Sequence, residues 1–168
     1  MPKRLAILRH AKSDWSEHHH KDFERPLNKR GREAAATMRD AIAERRLTFD
    51  AILASPAVRT RQTLHFLGLE DRARWDQHIY LASEETLLGA IREVSDDENS
   101  VLLVGHNPGL QELVLYLARA DHDKLRRRVL EKFPTAALAL LDLDIPSWAE
   151  LTRGCATITE LLLPRELD

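Results

Sequence analysis

Three apolar runs of four residues, Leu5-Ala6-Ile7-Leu8, Ala51-Ile52-Leu53-Ala54 and Val101-Leu102-Leu103-Val104, constrain this chain more than any other feature. Four residues are too few for a helix, so each run reads as a short buried strand. Each ends at a polar segment, and helical patterns follow. Strands alternating with helices predict an α/β fold, a three-layer sandwich whose central sheet of about six strands is mostly parallel and covered by helices on both faces. A length of 168 residues is enough for one domain with its own core, so the whole span 1–168 is read as a single domain.

The remaining elements follow from local signals. Asn28 is a candidate N-cap for a helix over residues 29–46, where Ala35, Met38, Ala41 and Ile42 form an apolar stripe. A second helix begins after Ser55-Pro56 and runs through Val58, Thr60, Thr63, Leu64 and Leu67 to Gly68. A short strand is expected near Ile79-Tyr80 within a surface connection. Ser83-Glu84-Glu85 opens a third helix through Leu87, Leu88, Ile91 and Val94. Residues 110–120 read as a fourth helix. Residues 121–132, with Lys124, Arg126, Arg127, Arg128 and Lys132, read as a solvated basic helix face, with phosphoprotein or nucleic-acid docking as the alternative. The runs 136–143 and 156–163 lack a helix between them and are expected to pair as antiparallel neighbours at one edge of the sheet.

Composition narrows the function classes. A net charge of -2 gives no general attraction to nucleic acid or acidic membranes, so any anion recognition must be local. The single cysteine, Cys155, excludes an internal disulfide and a cysteine-based zinc site, and is expected to pack as a small hydrophobe near a C-terminal strand. No window approaches the roughly 18 apolar residues needed to cross a bilayer. The N-terminus does not read as a signal peptide, and the cytoplasm is the expected location. His18, His19 and His20 are consecutive, so their side chains diverge; no metal site is expected there.

The chemistry gathers at the strand ends. Arg9 and His10 follow the first run, Arg59 stands behind Ser55-Pro56, and His106 lies in Gly105-His106-Asn107-Pro108-Gly109, flanked by glycines that allow a tight turn. In a parallel sheet these carboxyl ends share one edge, where open α/β sheets place their sites. Arg59 and Arg61 sit near a helix N-terminus, against the macrodipole, a placement that makes sense if an anion lies between them and the helix. Two histidines and two arginines converging on one point suit a phosphate pocket with His10 as nucleophile.

Here the chain resembles the histidine phosphatase superfamily, also called phosphoglycerate mutase-like, and within it the compact SixA-type phosphohistidine phosphatases. The resemblance rests on Leu8-Arg9-His10-Ala11, on Arg25-Pro26-Leu27 followed by Gly31, on Ser55-Pro56-Ala57-Val58-Arg59 with Thr60 to Thr63, and on Gly105-His106-Asn107-Pro108. These pieces cover about the first two thirds of the chain. The resemblance implies that His10 attacks phosphorus and carries the phosphoryl group. Arg9, Arg59 and His106 would bind its oxygens and stabilise the in-line transition state, with Ser13 and Asn107 as further substrate-binding candidates. Water would then hydrolyse the phosphoenzyme with no metal or cofactor, and phosphate or sulfate is expected to bind in the pocket. Ala11 replaces the family's glycine, which carries a local cost if that position needs a positive φ.

The resemblance assigns the general acid less clearly. Glu84 is the tentative candidate, with Glu85, Asp14 and Asp22 as alternatives. A protonated phosphoimidazole can depart as neutral imidazole, whereas an alkoxide needs a strong proton donor. A weak acid site therefore favours phosphohistidine on a signalling or phosphotransfer protein. A phosphatase of small phosphate esters or nucleotides is the enzymatic alternative, and a phosphate-binding module without turnover is the alternative from another class.

Overall fold

The computed structural model describes residues 2–16, 21–120 and 123–167. The expected metal-free reading of His18 to His20, and the start of the basic segment at Asp121, fall outside these residues. The elements in chain order are β1 (Lys3–Arg9), α1 (Lys29–Glu44), β2 (Ala51–Ala54), α2 (Val58–Leu67), β3 (Ala73–Trp75), α3 (Glu84–Arg92), β4 (Ser100–Gly105), α4 (Gly109–Leu117), α5 (Lys124–Glu131), β5 (Leu138–Leu143) and β6 (Ala156–Leu162). Among the described residues no helix is long and apolar enough to cross a membrane.

One six-stranded sheet carries the order β3-β2-β4-β1-β5-β6. β1, β2, β3 and β4 are parallel, and β5 and β6 are antiparallel additions beside β1, as their connection without a crossover requires. Side chains alternate across a strand. Leu5, Ile7, Val101 and Leu103 therefore pack on one face with Leu88 and Ile91 of α3, Leu113 and Leu117 of α4 and Val129 of α5. Ala6, Leu8, Leu102 and Val104 pack on the other with Met38 and Ile42 of α1 and Leu64 and Leu67 of α2. Burial on both faces explains the unbroken apolar runs. Cys155 is buried in the first of these cores, just before β6.

The structure departs from the sequence reading where packing is local and short. Ile79 is not on a strand. It is buried at the end of a 3-10 turn, Gln77–Ile79, whose N-cap Asp76 accepts from the His78 amide. The short edge strand lies earlier, at Ala73–Trp75. α4 stops at Leu117 because Ala118 turns extended and bridges to Ala156, with the Arg119 amide bonded to the Ala156 carbonyl at 2.9 Å. β5 starts only at Leu138. Ala136 before it adopts φ 62°, and its amide reaches the carbonyls of Arg9 and His10 at 3.1 and 3.0 Å.

α1 also carries the segment that follows β1. Asn28 caps the helix through the Gly31 amide at 2.8 Å, and its own amide bonds the Lys12 carbonyl at 3.0 Å. Gly31 lies so close to that segment that a Cβ would stand 2.0 Å from the Lys12 carbonyl oxygen. Gly31→Ala is expected to push residues 11–13 off α1, costing about 1–3 kcal/mol by urea denaturation and lowering any activity that depends on His10.

Candidate functional site

The carboxyl ends of β1, β2 and β4 lie side by side, since Arg9 pairs with Gly105 and Ala54 with Val104. The chain leaves the sheet in register there: the His10 amide bonds the Gly105 carbonyl and the Ser55 amide the Val104 carbonyl, both at 3.1 Å. This brings the His10 and His106 rings to 5.2 Å between centroids. Arg9, His10, Ser13, Arg59, His106 and Asn107 all line one half-open cavity of about 410 Å³. The turns around His106 need no left-handed glycine, because the positive-φ glycines among the described residues are Gly68 and Gly154. Ala11 is likewise absent from the positive-φ positions, so alanine there carries no backbone cost; its amide donates to Thr63 Oγ1 at 3.0 Å.

Hydrogen-bond partners assign both tautomers. His10 Nδ1 lies 2.7 Å from the Ala11 carbonyl, which can only accept, so Nδ1 holds the proton and Nε2 keeps the free lone pair. Arg59 Nη2 lies 3.2 Å from His106 Nδ1 and can only donate, so His106 is protonated at Nε2, which donates to Ser55 Oγ at 2.7 Å. Electrostatics agree. Burial, reinforced by the charges of Arg59, Arg9 and Arg25, lowers the His10 pKa to about 3. Burial, together with His10 and Arg59, lowers His106 to about 3.

The cations are held by shared carbonyls and one carboxylate. Arg9 Nη1 and Asn107 Nδ2 both donate to the Phe133 carbonyl, at 3.2 and 2.8 Å. Arg59, only 2% exposed, donates from Nη1 to the Asp22 carbonyl at 2.7 Å and from Nη2 to the Asp22 carboxylate at 3.1 Å. Asp22 also receives Arg25 at 3.1 Å and the Tyr80 hydroxyl. Burial pushes the Asp22 pKa up, but the Tyr80 hydrogen bond and the Arg59 and Arg25 guanidiniums outweigh it and hold it at about 2. Arg25 in turn donates to Ser13 Oγ at 2.5 Å, so Ser13 orients an arginine. The Nε atoms of Arg9 and Arg59 are buried without an acceptor, an arrangement that favours an incoming anion.

Glu84 and Glu85 do not reach this cavity. They occupy the first turn of α3, where the helix dipole favours carboxylates, and neither is among the lining residues. Asp14 lies outside the lining too and accepts from the Ser16 amide and hydroxyl. Among the described residues Asp22 is the carboxylate that lines the cavity, against the cations Arg9, Lys12, Arg25, Arg59 and Lys132. Sequence reasoning left Arg25 and Tyr80 out of the site. Arg25 stood in a quoted motif, and its placement before Pro26-Leu27 was the available signal. Tyr80 had none.

The family model of the histidine phosphatase superfamily (branch 1) matches residues 5–82. An uncharacterized protein of Mycobacterium tuberculosis is 34% identical over 160 residues, covering 94% of this chain and 100% of the relative. The crystal structure of the putative phosphohistidine phosphatase SixA from Agrobacterium tumefaciens superposes with a TM-score of 0.80 at 32% identity, covering 98% of this chain and 99% of that one. The putative phosphohistidine phosphatase SixA from Nakamurella multipartitia superposes with a TM-score of 0.87 at 25% identity, covering 98% and 97%.

Two histidines with folded pKa values near 3, against 6.5 unfolded, make stability depend on pH. Between those values the unfolded chain binds protons that the native state does not. Stability is therefore full above about pH 6.5 and falls as pH drops toward 3, by up to about 1.4 kcal/mol per pH unit for each group. Urea titrations at pH 7.5 and 5 should show this fall, and the His10→Gln/His106→Gln double variant should flatten it.

Proposed function

The chain belongs to the histidine phosphatase superfamily, in its SixA-type branch, and on that premise we propose that it hydrolyses phosphohistidine on a phosphorylated signalling or phosphotransfer protein, through a phosphoryl group carried on His10. His10 Nε2 attacks the phosphorus of a phosphohistidine that carries a proton on its other ring nitrogen. The substrate P–N bond breaks with its electron pair going to the departing nitrogen, and the ring leaves as neutral imidazole. Arg9 and Arg59 bind the equatorial oxygens and, being held in place beforehand, stabilise the transferring group without reorganising. An arriving phosphoryl dianion offsets the Arg59 charge that helps keep His106 neutral. Once Arg59 Nη2 turns from His106 Nδ1 to a phosphoryl oxygen, Nδ1 can take a proton from solvent, returned on product release, and donate to the phosphoryl group.

Water then attacks the phosphoenzyme. Its two protons leave with the phosphate as H2PO4⁻, and the P–N bond breaks with its electron pair returning to Nε2. The Nδ1 proton stays against the Ala11 carbonyl throughout, so His10 is restored neutral and no outside acid is consumed.

One observation carries the choice of phosphohistidine over esters. Asp22, the carboxylate lining the pocket, is ionised, with a pKa of about 2, and spends its oxygens on Arg59, Arg25 and Tyr80. Such a group is a poor donor to an alkoxide. Exchange of one imidazole for another on phosphorus needs no donor from the enzyme, because the ring-protonated substrate brings the proton with it.

A phosphotransfer domain phosphorylated on histidine and labelled in the phosphoryl group tests the reading. Wild-type protein should release phosphate and carry a transient acid-labile label, and His10→Ala should lose both, with turnover down at least about a thousandfold. Asp22→Asn should keep phosphohistidine turnover within about tenfold, whereas loss of a true general acid costs about a hundredfold or more. Faster hydrolysis of small phosphate esters than of the phosphoprotein would favour the alternative substrate class. Phosphate binding without turnover would identify a binding module.

A further inference from the structure

Among the described residues three large hydrophobic side chains are exposed, Trp15, Leu81 and Leu130, and two of them line this one cavity. Trp15 is 72% exposed and Leu81 56%. Exposed aromatic and aliphatic groups gathered at a pocket mouth are the usual mark of a binding surface.

Leu81 is held there against its backbone preference. It adopts φ 50°, a region that disfavours leucine. Its neighbours leave it little choice. Ile79 is buried in the core, and the Tyr80 hydroxyl is bound to the Asp22 carboxylate. On the other side the Ala82 carbonyl is wedged so close to Gly109 that a Cβ there would stand 2.0 Å away. Strain of this kind persists where surrounding structure enforces it, and it clusters at functional positions. Trp15 is fixed differently: its indole lies over the Arg25 guanidinium, 3.4 Å from ring centroid to Cζ, and Arg25 is itself buried and tied to Ser13 and Asp22.

We propose that Trp15 and Leu81 form a preformed apolar collar, flanked by the exposed Lys12 and Lys132, that receives the polypeptide surface around the phosphorylated histidine of a partner protein. The proposal rests on the phosphohistidine reading above. A phosphoryl group is met by the arginines in the cavity. The two apolar side chains are covered only by an occupant that reaches beyond the mouth. A protein surface does so, and apolar contacts to rigid side chains lose little entropy on binding. Lys12 and Lys132 are exposed lining residues, complementary to acidic groups beside the target histidine.

The test compares a histidine-phosphorylated phosphotransfer protein with phosphoramidate, which carries the P–N bond and no polypeptide. Leu81→Asn removes the apolar group while keeping a residue that tolerates positive φ. It should raise KM for the phosphoprotein about tenfold with kcat unchanged, leave phosphoramidate turnover as in wild type, and hold or raise Tm. Trp15→Ala should raise KM for the phosphoprotein more than for phosphoramidate. Unchanged phosphoprotein KM in both variants while they still hydrolyse it, or equal losses on both substrates, overturns the collar alone. Wild-type hydrolysis of phosphoramidate but not of the phosphoprotein overturns the collar and the protein substrate together. Hydrolysis of neither overturns the phosphohistidine reading, and the collar with it.

Discussion

The hydrogen bond from the His10 amide to the Gly105 carbonyl extends the β1–β4 pairing one residue past β1, and the site depends on it. It makes the turn after β1 start level with the turn after β4, which sets the two imidazoles side by side, 5.2 Å between centroids and tilted by 51°. Ser55, leaving β2 in the next register position, then meets His106 from the far side. The nucleophile and its neighbour are therefore placed by sheet geometry, a stiffer support than a loop could supply. The turn before β5 closes the arrangement from the other flank, since the Ala136 amide donates to the carbonyls of Arg9 and His10.

That geometry concentrates charge in a poorly solvated place. Arg59 is almost fully buried beside a second arginine, a combination that would be costly without compensation. Two features offset it. Asp22 takes both Arg59 and Arg25 on one carboxylate, and the two histidines stay neutral so that they add no positive charge. The remaining imbalance is positive in a chain whose overall charge is -2, so the attraction for an anion is local to this cavity. The same neutrality that relieves the cations keeps a lone pair on His10 Nε2. Stability and nucleophilicity here have one source.

The sheet was legible because burial on both faces leaves an unmistakable trace: Ala51-Ile52-Leu53-Ala54 and Val101-Leu102-Leu103-Val104 admit no polar residue, and both strands fall where those runs lie. Arg9, His10, Arg59 and His106 were legible for a related reason, since Arg9 ends β1, His10 and His106 directly follow β1 and β4, and Arg59 lies in the first turn of the helix after β2. Ile79 was misplaced because one buried residue in a 3-10 turn has no periodicity to betray it. Glu84 was attractive by its position in the chain, but its signal is also that of a helix N-terminus, and that is where it stands. Tyr80 was invisible. Its partner Asp22 lies 58 residues away and opens a single 3-10 turn, Asp22–Glu24, too short to carry a pattern of its own.

Asp22 couples the charge balance of the pocket to its chemistry. Loss of its negative charge would leave Arg59 buried with one fewer partner, so the carboxylate that looks like a proton donor is committed to holding the cation. A site that ties up its carboxylate in this way has traded acid catalysis for electrostatic positioning. The trade is neutral only if the leaving group needs no proton from the enzyme, which is true of a ring-protonated phosphoimidazole and untrue of an alkoxide. The chemistry that this pocket can perform is thus set less by its nucleophile, which esters and phosphoramidates share, than by the ion pair beside it.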